Sequence, residues 1–132
     1  MSAPRTSMRS DLARVRGLGP AHDGVGHWWA QRLTALALVP LTLWFVASII
    51  GLVGADHATA AEWIARPIPA MLLALLIVAT FHHAQLGLQV VIEDYVHVEG
   101  LKITLILAVK GLSVLLAVAA LFSVFRILSW AS

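Results

Sequence analysis

The sequence predicts an all-α membrane protein with three transmembrane helices. Composition is the first reason. The chain has 132 residues, of which 60% are hydrophobic and only 12% charged. A soluble domain sits nearer half apolar and has too small an interior at this length to hide more. The second reason is distribution, because the apolar residues gather in three long runs. The third is backbone chemistry. Inside lipid a chain must satisfy its own N–H and C=O groups, and no run alternates with the period of a strand, so the runs are helices.

Residues 1–26 read as a mobile basic tail, and 27–132 as the membrane anchor domain. Arg5, Arg9, Arg14 and Arg16 lie in the tail, and Arg32 stands just before the first apolar run. A cleaved signal peptide is not expected, because too many polar or mixed residues precede an apolar stretch that is too long for one. The first span is expected over about 33–53, with a kink at Pro40. Trp28 and Trp29 precede it as interface anchors. A short connection follows, Gly54 to Arg66. The second span is expected over about 68–92, with Pro67 and Pro69 in its first turn, where a missing N–H does little harm. A loop from Glu93 to Lys102 leads to the third span, about 103–130. Each span meets the ~20 residues needed to cross about 30 Å of hydrocarbon.

The arginines ahead of the first span put the N-terminus in the cytoplasm, or in the matrix of a mitochondrion, by the positive-inside rule. Three spans then leave the C-terminus outside. Lys102 agrees with this orientation, whereas Arg66 and Arg126 oppose it. The chain has no cysteine, so disulfides and thiolate metal sites are excluded. Its basic residues are few and mostly adjoin a span, which excludes nucleic acid as a partner and leaves the lipid membrane.

One stretch stands out, "FHHAQLGLQVVIEDYVH", from Phe81 to His97. Polar side chains in a span face a bundle interior or a cavity. Neighbouring helix positions diverge by about 100°, so His82 and His83 cannot serve one ligand together. Both can be packing residues hydrogen-bonded to carbonyls. Alternatively one is an axial ligand of haem iron, for which neutral imidazole is the usual donor. His83 suits that role better, because Gly87 one turn on leaves flat space for a porphyrin, whereas His82 has Leu86 there. No other span offers a second histidine, so a six-coordinate haem needs a ligand from another subunit. Tyr95 lies twelve residues after His83, about 18 Å along a helix. It reads either as an interface anchor or as a phenol donating to a quinone carbonyl beside Asp94. In "HWWAQRLTALALVPL", His27 to Leu41, Arg32 can snorkel, pair with a carboxylate or meet a haem propionate. Gln31 and Thr34 add polarity at the same depth.

Taken together, His83 followed eleven residues later by Asp94-Tyr95, and the "HWWAQRLTALALVPL" stretch, resemble the smaller cytochrome b membrane anchor of succinate dehydrogenase, respiratory complex II (the SdhD family). The resemblance covers most of the chain from His27 on. It implies a heterodimeric cytochrome b anchor bundle in which His83 is this subunit's axial ligand to haem b. The other ligand would come from the larger anchor subunit. It also implies that Tyr95, with Asp94, binds ubiquinone near the iron–sulfur subunit, and that Arg32 lies near the haem propionates. A histidine precedes that arginine in the family at a spacing one residue different from His27, which is carried as a pocket residue with Gly87. His82 remains the alternative ligand. The complex would include a flavoprotein subunit and sit in a bacterial inner membrane, in preference to a mitochondrial one. This chain would carry no dicarboxylate chemistry, since it has neither a flavin-binding glycine fingerprint nor cluster cysteines. The other readings are the anchor of a fumarate reductase and a cofactor-free three-helix scaffold or assembly protein. A transporter subunit ranks below these, because the few intramembrane charges form no continuous path.

Overall fold

The structure, a computed structural model, describes residues 19–130, with side chains from residue 24 on. Four helices account for nearly all of it, and no strand occurs among the described residues. Helix α1 spans Gly19–Gly51, the short α2 His57–Ile64, α3 Pro67–Tyr95 and α4 Glu99–Trp130. Three stretches are long and apolar enough to cross a membrane: Gly24–Gly51, Pro67–Tyr95 and Glu99–Trp130. These correspond to the three expected spans. Most of the tail expected over 1–26, with its four arginines, lies outside the described residues.

All three long helices outrun the apolar runs that announce them. Hydropathy marks only the part of a helix that meets hydrocarbon, while intrahelical hydrogen bonds carry it on into the polar interface. Helix α1 begins well before Trp28 and passes through Pro40 without interruption. Pro40 has no N–H, so the Leu36 carbonyl four residues earlier loses its usual partner. Helix α3 starts with Pro67 in its first turn, as expected, behind an extended Arg66. It runs on through Glu93 and Asp94 to Tyr95 and stops at the extended Val96. The expected ten-residue loop thus shrinks to residues 96–98 before α4 begins.

The connection between α1 and α3 holds structure that hydropathy does not report. Gly54 takes a left-handed turn at φ +85°, where a residue without Cβ is unstrained. Asp56 then caps α2, accepting a hydrogen bond from the Thr59 amide at 2.9 Å. Donation from Thr59 holds the Asp56 carboxyl below the ordinary value of 3.8. Trp63 of α2 stacks on Trp44 of α1, with centroids 5.8 Å apart and planes 22° from parallel. That contact folds the connection down against the first span.

Helix α3 is central, packed against both α1 and α4. The buried apolar residues are Leu41, Ala70, Leu73, Ala79 and Leu86, four of them on α3. The two alanines let neighbouring backbones approach closely, which is how helices gain contact in lipid, where apolar burial gives little drive. Helix α4 buries no residue within this chain.

Candidate functional site

At 100° per residue, α3 presents two chemically different faces. His83, Gly87 and Val90 fall within about 60° of one another, and Val78, Phe81, His82 and Gln85 within about 100° on another side. The packing follows this division. His83, Gly87 and Val90 line a cleft of about 640 Å³ with His27, Gln31 and Arg32 of α1. His82 instead lines a smaller groove of about 190 Å³ against Ser113 and Ala117 of α4. The adjacent histidines therefore address different helices.

The cleft side of α1 comes from the 3.6-residue repeat, which puts His27, Gln31 and Ala35 in one row and Trp28 and Arg32 in the next. Arg32 lies over the Trp28 ring, 5.3 Å from its centroid. Trp28 meets Trp29 edge-on at 5.1 Å. His27 Nε2 and Gln31 Oε1 are buried and pair with no protein atom. Buried polar atoms of this kind are seldom left unpartnered, so the cleft presents unmet hydrogen-bonding capacity. A Cβ at Gly87 would meet Gln31 Nε2 at 3.7 Å, an ordinary contact. The space beside Gly87 is thus bordered by the tip of a flexible amide.

His83 is tied to α1 by one polar contact. Its Nδ1 lies 3.0 Å from Thr34 Oγ1. The Thr34 hydroxyl also reaches the Ala30 carbonyl at 2.7 Å and the Gln31 carbonyl at 3.1 Å. Thr34 and Gln31 are the residues whose place in the site sequence reasoning missed. The available signal was their polarity at the depth of Arg32; the partner of Thr34 lies 49 positions away and no local pattern names it.

The structure brings His27, Arg32, His83 and Gly87 of the expected site residues together. Asp94 and Tyr95 stand apart at the end of α3, both exposed, Tyr95 at 79%. They are four to five residues beyond Val90, about 6–7.5 Å farther along the axis. At the opposite end of the bundle a groove of about 490 Å³ lies between α2 and the close of α4, lined by His57, Glu62, Arg126 and Trp130 among others. None of the expected site residues borders it, so the candidate chemistry belongs to the His83 cleft. No group of three or more His, Asp or Glu side chains able to hold a metal ion occurs among the described residues. The cleft contributes His83 from α3 and His27 from α1, together with a cation and a side-chain-free notch; the first span, Gly24–Gly51, thus does hold a histidine, contrary to the expectation from the apolar run alone.

A family model described as succinate dehydrogenase/fumarate reductase transmembrane subunit matches residues 6–125. The chain is 37% identical over 117 residues to the succinate dehydrogenase hydrophobic membrane anchor subunit of Rickettsia bellii, covering 89% of this chain and 94% of that one. It is 33% identical over 81 residues to the protein of the same name from Paracoccus denitrificans, with 61% and 63% covered. The succinate dehydrogenase membrane anchor subunit of Reclinomonas americana is 27% identical over 95 residues, with 70% and 79% covered. No solved structure matches. With three membrane-spanning helices and a family match over nearly its whole length, this chain belongs to the succinate dehydrogenase/fumarate reductase transmembrane subunit family.

Proposed function

We propose that this chain is the small hydrophobic anchor of a succinate:quinone oxidoreductase, binding haem b through His83 and ubiquinone through Tyr95 and Asp94. The observation that carries the reading is the meeting of His83, Arg32 and Gly87 in one cleft. The donor set suits haem: an imidazole for iron, a guanidinium for propionates, an orphaned His27 Nε2, and a notch without a side chain. The cleft volume falls within the ~300–1,000 Å³ usual for ligand sites. Haem b, when bound, supplies a one-electron store beside the quinone path.

This chain's residues then have distinct tasks. His83 would hold the haem iron from this chain, and the larger anchor subunit would complete the site. Arg32, which lines the cleft, would offset the charge of the haem carboxylates. Tyr95 donates a hydrogen bond to a quinone carbonyl, and Asp94 beside it offers a proton acceptor and donor where two protons must join the reduced quinone. Electrons come from the flavoprotein through the iron–sulfur subunit. The N-terminus faces the cytoplasm of a bacterial cell, and the relatives from Rickettsia and Paracoccus support a bacterial inner membrane. Their names as succinate dehydrogenase anchors favour succinate oxidation over fumarate reduction.

Absorption spectroscopy of the purified complex tests the reading. His83→Ala should abolish or grossly alter the low-spin haem spectrum, whereas His82→Ala, facing α4, should leave it nearly intact. Loss in His82→Ala with an unchanged His83→Ala would reverse the assignment, and no haem in the wild-type complex would leave only a scaffold.

A further inference from the structure

We propose that Thr34 is the positioning residue for His83: its hydroxyl oxygen accepts the Nδ1–H, and this fixes the ring tautomer that leaves the Nε2 lone pair free for iron. The inference rests on His83 being the haem ligand.

A hydroxyl has one proton to give and two lone pairs to receive with. Thr34 Oγ1 has three polar neighbours: the Ala30 carbonyl at 2.7 Å, the Gln31 carbonyl at 3.1 Å and His83 Nδ1 at 3.0 Å. Both carbonyls can only accept. The shortest distance takes the proton to Ala30, the back-bond to residue i−4 that threonine commonly makes in a helix. The oxygen is then an acceptor toward His83, and 3.0 Å is an ordinary N–H···O length. A neutral imidazole protonated on Nδ1 carries its lone pair on Nε2. The hydroxyl is a better acceptor for having donated, because hydrogen bonds in a chain polarise one another in low dielectric.

This relay, from His83 to Thr34 to the Ala30 carbonyl, has the form expected around a metal-binding histidine. Such a histidine almost always donates its second nitrogen to an oxygen, which orients the ring and raises its basicity. A more basic ligand favours ferric over ferrous iron, so the contact should lower the haem midpoint potential. It also joins the two helices that wall the cleft, so the ring is aimed by α1 while it is carried by α3.

The test uses the intact four-subunit complex and reads the haem, not turnover. Thr34→Val keeps the shape and removes the acceptor, whereas Thr34→Ser keeps the hydroxyl. Redox titration of Thr34→Val should show a higher haem potential, up to about tenfold in the ferric-to-ferrous affinity ratio, or about 59 mV for one electron. The low-spin electron paramagnetic resonance signal should shift with it. Thr34→Ser should restore both. If Thr34→Val loses haem altogether and Thr34→Ser keeps it, the hydroxyl is again the cause. A wild-type potential and signal in Thr34→Val would overturn the inference, and so would equal loss in both variants, which would assign the effect to the methyl group. His83→Ala is measured alongside. If it retains the low-spin spectrum, the ligand assignment has failed. If it loses the spectrum while Thr34→Val is unchanged, only the role of Thr34 has failed.

Discussion

Tyr95 and His83 occupy different settings, and that difference decides how each should respond to substitution. His83 is partly enclosed between helices, whereas Tyr95 ends its helix almost fully exposed in the isolated chain. A phenol there either anchors the interface or donates to a ligand held partly by another subunit. Tyr95→Phe separates these, since it keeps the ring and removes only the hydroxyl. A lost neutral hydrogen bond should amount to about 0.5–1.5 kcal/mol, and more if charge develops on the quinone oxygen. Turnover at limiting ubiquinone should fall a few-fold to tenfold. Succinate oxidation by a soluble acceptor that bypasses the membrane site should persist, as should the haem spectrum. Equal quinone turnover in Tyr95→Phe and wild type would reduce Tyr95 to an anchor. The residues of the His83 cleft were legible in the sequence because glycine one turn from a histidine, and arginine at a span's edge, carry local chemical meaning. Thr34 was not legible as a partner, because a pairing between helices depends on how α1 is rotated against α3.

At the scale of elements, the spans were legible and their ends were not. Composition marks where lipid begins, but it says little about where a helix stops. The extension of α3 to Tyr95 makes this plain, for it places Asp94 and Tyr95 on the same helix as His83 when the expected loop, Glu93 to Lys102, held both. Helix α2 was hidden for another reason. It is eight residues long, and its start signal is a single Asp56–Thr59 cap within a stretch that reads as a linker. The Asp56 carboxyl, held below 3.8 by Thr59, lends the cap its support in the ionised form. Its folded value lies below its unfolded one, so this support is complete above about pH 4 and is lost as pH falls through the folded value. Protection of the α2 amides relative to their intrinsic exchange rates should therefore fall on acidification below that range, and Asp56→Ala should lower it at neutral pH while leaving α1 and α3 unaffected. Unchanged protection of α2 in Asp56→Ala would show that the Trp44–Trp63 stack alone holds it down; such a stack is worth about 0.5–1.5 kcal/mol beyond its buried area.

For the whole molecule, the informative fact is how little of it is enclosed. Helix α4 buries nothing, and Leu107, Leu112, Leu115, Phe122 and Phe125 all face outward. Lipid suits these side chains, and so does a second helical subunit. The cleft holds His83 of α3 and, on the facing α1, His27; with the second iron ligand assigned to the larger anchor, this chain expressed without it should show no low-spin bis-histidine haem by absorption. Appearance of that spectrum in the lone chain would hand the second ligand to His27 or to a second copy, and His27→Ala would tell these apart. The orientation is testable separately. A reporter fused after Ser132 should read as periplasmic, and one at the N-terminus as cytoplasmic, because three spans separate them. A cytoplasmic signal from the C-terminal fusion would break the three-span topology.

The histidine doublet gives α3 an asymmetric tolerance to changes of length. Adding one residue upstream, between Ala70 and Phe81, advances everything after it by one position and turns it through about 100°. His82 then stands where His83 did, and a spare imidazole takes over the aim toward α1. The notch does not survive the same event, because Leu86 moves into the place of Gly87. Removing one residue has the opposite character: Ala84 arrives at the ligand position, and no imidazole remains there. An insertion thus keeps a ring and loses the notch, a deletion loses both because Leu88 takes the place of Gly87, and measuring the two lengths beside the wild type separates the need for a ring from the need for an empty space beside it.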